Sequence, residues 1–265
     1  MQVDADLVDA AGPELKVVAN FAVGYDNIDL DACRRRGVAA TNTPDTLVDT
    51  TADLAFALIL AAPRRVAEGD RLIRAGRPWG FRWDFMLGHD VHGATLGIVG
   101  LGAIGRAVAR RARGFDMPVL YAQRRRAPAD VEAALGARYV PLGDLLATSD
   151  VVTLHCPHTP ETHHLVDAAA LAAMRPTAYL VNPARGPIVD ERGLVDALER
   201  GEIAGAGLDV FEREPDVHPG LAAREDVVLV PHLGSATWAT RERMGLRAAG
   251  NVVAVLSGRP APDAL

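Results

Sequence analysis

The sequence predicts an α/β protein built on a mainly parallel, doubly wound sheet. Two patterns predict it. Short β-rich runs alternate with amphipathic or apolar helical stretches, and a glycine-rich turn joins one of those runs to the helix after it. The chain has 265 residues, 49% hydrophobic and 23% charged, which suits one large domain or two small ones of ordinary globular composition.

Strand character recurs at 16–19, 38–41, 95–99, 118–121, 151–155, 178–181, 206–210 and 227–230. Residues 50–62 are apolar nearly all round, the pattern of a buried or subunit-interface helix. Residues 104–114 place Ala107, Val108 and Ala112 on one side and arginines on the other. Residues 190–200 place Leu194, Val195 and Leu198 on one face, with Gly201 as the stop. A last helix is expected over 238–256, after the turn Pro231-His232-Leu233-Gly234. Residues 78–92 carry Trp79, Phe81, Trp83 and Phe85 without periodicity and read as a long loop that covers something or meets a partner chain. No internal repeat is found.

Composition excludes several functions. The longest apolar run, 54–62, falls well short of the roughly 18 residues that cross a bilayer, so no membrane role is expected. Asp4, Asp6 and Asp9 near the start do not suit a signal peptide. A net charge of −6 argues against a nucleic-acid partner. Two cysteines, Cys33 and Cys156, make no disulfide framework, so a reducing cytoplasm is expected. One lysine, Lys16, against 27 arginines leaves neither a P-loop nor a lysine for Schiff-base chemistry.

The turn is Gly100-Leu101-Gly102-Ala103-Ile104-Gly105, entered from Thr95-Leu96-Gly97-Ile98-Val99 and followed by a helix. This is GxGxxG in strand–turn–helix context, the fingerprint of a Rossmann-type dinucleotide site. Gly100 permits the tight turn, Gly102 lets backbone approach a pyrophosphate, and Gly105 lets helix pack on strand. An NAD site usually has an acidic residue about 20 residues on, to hold the ribose 2′-hydroxyl. Here that strand ends Gln123-Arg124-Arg125-Arg126, with Arg124 19 residues past Gly105. An arginine there accepts a 2′-phosphate, so NADP(H) is expected over NAD(H).

Three later segments fall where strands should end: 181–186 with Arg185, 207–215 with Asp209 and Glu214, and 230–236 with His232. Open α/β sheets bind ligands at the carboxyl ends of strands. The set suits reduction of a 2-oxo acid. Arginine grips a carboxylate with two parallel hydrogen bonds, histidine protonates the carbonyl oxygen, and a carboxylate keeps the imidazole charged and oriented.

With Val23-Gly24-Tyr25-Asp26-Asn27-Ile28-Asp29 and 154–162, these motifs run in order over nearly the whole chain. Together they resemble the D-isomer-specific 2-hydroxyacid dehydrogenases, and within them the glyoxylate/hydroxypyruvate reductases. The resemblance implies that Arg185 binds and polarises substrate, His232 is the acid/base and Glu214 its partner. It implies that the backbone of Val23 and Gly24 holds the substrate carboxylate and that Asp209 meets the nicotinamide amide. Further cofactor contacts are implied at Ala103, Ile104, Gln123, Arg124 and Arg125, at Cys156, Pro157 and Thr162 in the adenine wall, and at Thr51, Pro183, Ala184 and Gly234. A small 2-oxo or 2-hydroxy acid and a homodimer partner are also implied. Expected domains are a dinucleotide-binding domain at 46–235 and a smaller α/β substrate lobe at 1–45 and 236–265.

The chain departs from the family in two ways. Family members begin with a βαβ unit and a further helix before the strand at Lys16, so roughly 50 residues of the substrate lobe are expected to be missing at the start. Ala103 stands where a basic residue usually contacts phosphate. No metal is expected: His155, Cys156, His158, His163 and His164 match no common ligand spacing. Two alternatives stay open, a dinucleotide-sensing regulatory protein related to transcriptional corepressors and an inactive truncated family member.

Overall fold

Nine strands form in the computed structural model, which describes residues 2–265. By contacts the chain divides into two units. One comprises residues up to Thr50 and from Ser235 onward, the other Thr51–Gly234.

The larger unit holds a seven-stranded sheet: β3 (Leu96–Val99), β4 (Val119–Ala122), β5 (Ala137–Tyr139), β6 (Val151–Leu154), β7 (Tyr179–Asn182), β8 (Gly205–Leu208) and β9 (Val227–Leu229). The spatial order is β5-β4-β3-β6-β7-β8-β9 and every pairing is parallel. From β3 the chain winds outward through β4 to β5, then returns to place β6 on the other side of β3. That reversal is the switch point where doubly wound sheets open a crevice at strand carboxyl ends. β3, β4, β6, β7 and β8 are buried along their whole length, as a sheet covered on both faces must be. Helix Val48–Ala61 buries Ala52, Ala55, Phe56, Leu58 and Ile59, and Gly207 on β8 lets it approach the sheet, since a Cβ there would lie 3.0 Å from that of Leu58. Helix Glu191–Arg200 is capped by Asp190, whose side chain accepts from Gly193 N, and stops at left-handed Gly201.

The smaller unit pairs β1 (Val17–Ala19) and β2 (Ala39–Thr41) in parallel. Its core gathers Val3, Val8, Ile28, Cys33, Val38 and Ala40. Helix Trp238–Leu256 packs on β1. The first division falls at 50/51, later than the expected 45/46. Thr50 and Thr240 share a hydroxyl hydrogen bond of 2.6 Å, and Arg243 donates to Thr46 O at 3.3 Å, so residues 46–50 stay with this unit.

Sequence reading missed β5, a three-residue edge strand entered directly from the left-handed C-cap Gly136 of helix Ala129–Leu135. It also missed helix Val66–Arg74, none of whose residues is buried. In the segment at 78–92, Trp79, Phe81 and Trp83 are 62%, 95% and 84% exposed. No helix among the described residues is long and apolar enough to cross a membrane.

Candidate active site

The glycine turn behaves as its spacing predicts. Gly100 has φ +96°, and a Cβ there would sit 2.8 Å from Cys156 N on the end of β6. A Cβ at Gly105 would overlap Gly100 O, so only glycine allows the helix this close to β3. Gly102 is the N-cap of helix Ala103–Ala112, and a Cβ on it would meet nothing within 4 Å. Gly102 therefore borders open space at the positive end of the helix dipole, while Ala103 and Ile104, which follow in the first turn, are not among the residues lining it.

That space is a cavity of about 1010 Å³ at the carboxyl ends of β3, β4 and β6. Gly100, Gly102, Arg124, Arg125, Pro157 and Thr162 are among its lining residues. Its size and its glycine cradle fit an extended dinucleotide. Gln123 also borders it but is held as a strut, accepting from Leu101 N at 2.9 Å and donating to Arg125 O at 2.6 Å. Arg126 is committed to a two-pronged pair with Glu132, at 2.9 and 2.8 Å, so Arg124 and Arg125 are the arginines that face the cavity. Glu161 borders the same cavity. Its carboxyl is held low by the Thr159 hydroxyl, with the nearby Arg124 charge contributing. Burial pushes the Cys156 thiol up to about 11 and His155 down to about 3, so the thiol stays protonated, the imidazole stays neutral, and both contribute uncharged wall.

The reacting end lies at β7, β8 and β9. Asn182 ends β7 and folds the next loop back: its amide donates to Arg185 O at 2.8 Å and its oxygen accepts from Ala184 N at 3.0 Å, with buried Pro183 between. Arg185 is half-buried and donates to Ala184 O at 2.8 Å. After β8, Glu214 accepts at one oxygen from Phe211 N, 3.2 Å, and pairs at the other with His232 Nδ1, 2.8 Å. That hydrogen bond raises the His232 pKa against the opposing effect of burial, while Arg185 pulls it down. Burial alone would raise Glu214, but its bond to His232 holds the carboxyl below the ordinary value. Arg185 also lowers Glu214, so the three groups act on one another electrostatically.

Asp209, 1% exposed, shapes the His232 loop. Its carbonyl accepts from His232 N at 2.9 Å, and its carboxylate from Leu233 N and, at 2.9 Å, Gly234 N. Burial raises its carboxyl and those amide bonds lower it. They hold His232 in the left-handed region, φ +52°, which a residue with a side chain keeps only where its surroundings impose it. Thr51 donates to Gly234 O at 3.1 Å.

Val23 and Gly24 belong to the smaller unit, where their carbonyls accept from Asn42 (2.8 Å) and Asn20 (2.7 Å). Sequence reading missed Asn182; it stood within the segment 181–186, but no spacing rule marks an amide that bonds only to nearby backbone. Among the described residues, His164, Asp190 and Glu212 bring donor atoms within 4.8 Å of one another. Asp190 and Glu212 already accept backbone amides, from Gly193 and Glu191.

The family profile described as "D-isomer specific 2-hydroxyacid dehydrogenase, NAD binding domain" matches residues 56–234. The chain belongs to this family. As a 2-hydroxyacid dehydrogenase it is an oxidoreductase that moves hydride between a nicotinamide dinucleotide and a small 2-oxo acid. It is 51% identical over 266 residues to a glyoxylate reductase of Thermococcus onnurineus, covering 98% of this chain and 79% of that one. A crystal structure of a glyoxylate reductase from Paecilomyes thermophila superposes with a TM-score of 0.90 at 40% identity, covering 100% of this chain and 79% of that one. A Sinorhizobium meliloti NADPH-dependent glyoxylate/hydroxypyruvate reductase, solved with NADP and malonate, gives 0.91 at 38%, covering 100% and 81%.

Proposed function

We propose that this dehydrogenase is an NADP(H)-preferring reductase of glyoxylate or hydroxypyruvate, with Arg185, His232 and Glu214 as its catalytic set. The observation that carries the reading is the 2.8 Å pairing of His232 with Glu214, in electrostatic reach of Arg185, at the carboxyl ends of the same sheet that bears the dinucleotide-sized cavity. The arginine fork binds the substrate carboxylate and polarises its carbonyl. The charged imidazole of His232 donates its Nε2 proton to the carbonyl oxygen and takes it back in the oxidative direction. Glu214, at Nδ1, keeps the ring protonated and turned toward substrate. Asp209 holds the loop that presents it and keeps lone pairs for the nicotinamide amide. The bound dinucleotide supplies the hydride.

The glycine turn, with Ala103 and Ile104 in the helix's first turn, holds the pyrophosphate. Cys156, Pro157 and Thr162 wall the adenine, Gln123 braces the turn, and Arg124 with Arg125 takes the 2′-phosphate. Thr51, Pro183, Ala184 and Gly234 frame the nicotinamide end. Absence of any carboxylate at the end of β4 supports NADP(H). The exposed Trp79, Phe81, Trp83 and Leu87 side chains support a homodimer as the working form, since monomers rarely leave such groups in water. Two free cysteines suit a reducing cytoplasm.

A panel of glyoxylate, hydroxypyruvate and bulkier 2-oxo acids, each with NADPH and NADH, tests the reading. The highest kcat/KM is expected for the two small acids with NADPH. Equal turnover with NADH, or no turnover of either acid, would overturn the corresponding half.

A further inference from the structure

We propose that Glu191 and Glu212 form a reciprocal clamp that sets the spacing of Arg185 relative to the Glu214–His232 pair, so that both are positioning residues. The inference rests on the roles just proposed for those three.

Arg185 and Glu214 lie on different excursions from the sheet, one after β7 and one after β8. Nothing in strand pairing fixes how far apart the two excursions stand. They meet at Gly186, where a Cβ would overlap the Phe211 carbonyl and crowd Glu212 N, so any side chain there would displace backbone. Just beyond that crossing the two glutamates exchange bonds. Glu191 N donates to Glu212 Oε1 at 2.8 Å, and Glu212 N donates to Glu191 Oε1 at 2.8 Å.

Each bond joins one excursion's carboxylate to the other's backbone, so neither segment can shift without breaking both. Glu191 is only 8% exposed, a costly place for a carboxylate unless its acceptors are used. Burial raises its carboxyl, and the amide of Glu212 opposes that. The clamp leads straight to the chemistry on both sides. Phe211, next to Glu212, donates its amide to Glu214. On the other side, Arg185 O accepts from Ile188 N at 3.3 Å within the turn that leads to Glu191.

His164 ties in by its backbone: its amide donates to Pro187 O at 2.8 Å, while its Nε2 lies 3.3 Å from Glu212 Oε1 without a hydrogen bond. Asp190, Arg213 and His218 complete the charged groups around the pair. Two carboxylates so close repel, and the Glu212 charge adds to the rise of the Glu191 carboxyl; against this, each satisfies an amide that would otherwise be left without a partner.

The test is steady-state kinetics of E191A, E212A and the double variant with glyoxylate and NADPH across pH, beside thermal melting and direct NADPH titration. Misplacing a reacting group by about 1 Å costs on the order of 100-fold, so each single variant should lose about 10- to 100-fold in kcat/KM, split between a higher KM and a lower kcat. The double variant should be no worse than the poorer single, because one clamp is lost once. E191Q and E212Q keep an acceptor and should recover most activity. In E212A the fall of the reductive rate should move to lower pH, because Glu214 is loosened from His232. NADPH affinity should stay within about twofold, since neither glutamate borders the cofactor cavity.

If the alanine variants do not fold, E191D and E212D shorten the clamp and must show the same KM and kcat split. Alanine or aspartate variants that melt earlier yet keep parental KM, kcat and pH profile would overturn the clamp, as would additive losses in the double variant. H232A, run alongside, separates the two readings. If it is active, the catalytic roles fail; if it is inactive while the clamp variants are silent, the clamp alone fails.

Discussion

The phosphate end and the reacting end of the site are held together by different kinds of contact. At the glycine turn the work is done by missing side chains: Gly100 at φ +96°, Gly105 against Gly100 O, and Gly102 open to the cavity. Its charge partners are a helix terminus and the guanidinium groups of Arg124 and Arg125. At the reacting end the loops are tied by carboxylates to amides: Asp209 to Leu233 and Gly234, Glu214 to Phe211, Glu191 and Glu212 to each other. The first end should therefore respond to added volume and to charge reversal but little to pH. The second should respond to pH and to loss of a single acceptor. A site that must bind one constant cofactor yet move a proton has reason to be built in both ways.

The largest expected effect breaks the reacting end alone. H232A should lower kcat for glyoxylate reduction by about 10²–10⁴-fold, the usual contribution of general acid catalysis, while NADPH affinity measured by fluorescence titration stays near parental. Loss of both together would mean that the two ends are not separable. Next, Arg124→Asp should raise KM for NADPH tenfold or more, since a hydrogen bond to a charged group is worth about 1.5–3 kcal/mol. KM for NADH should change little or improve. An equal change with both cofactors would make Arg124 a bystander on the surface.

The smallest effect concerns stability. His232 has a raised pKa in the folded protein, so its pairing stabilises the fold at low pH and is lost as pH rises through that raised value. Glu214 has a lowered pKa, so its share is lost as pH falls through that lowered value. Both side chains are partly exposed, 50% and 37%, which limits the pair to at most about 1 kcal/mol after solvent screening. Urea unfolding of the parent and of H232Q should differ by that much below about pH 6.5, the ordinary histidine value, and converge as pH rises past the raised one. A constant gap across that range would remove the pair from the stability account.

The same contrast explains what could be read in advance. The glycine turn was legible because its constraint is steric and local: GxGxxG after a β-rich run leaves few other geometries, and Arg124 follows at a fixed distance. Strands β3, β4, β6, β7 and β8 were legible as continuous apolar runs, because a sheet covered on both faces demands them. β5 was not, being three residues with Arg138 in the middle. Arg185, Glu214 and His232 could be proposed as an ordered set, but their spacing in the chain says nothing of the 2.8 Å contact that couples two of them. The Glu191–Glu212 exchange was illegible, since it joins residues 21 apart in sequence through backbone amides, which carry no sequence signal. Helix Val66–Arg74 was overlooked although it is amphipathic; its apolar Val66 and Ile73 stand 57% and 55% exposed, so its stripe meets no core within this chain.

The central claim is that Glu214 sets the proton affinity of His232 for reduction. The pH dependence of reductive kcat/KM in E214Q, set beside the parent, tests it most directly. With the 2.8 Å contact to a charged carboxylate removed, His232 should lose its proton more easily, so the rate should begin to fall at lower pH than in the parent while saturation by glyoxylate through Arg185 persists. Superimposable profiles would contradict the account and leave Glu214 a structural residue.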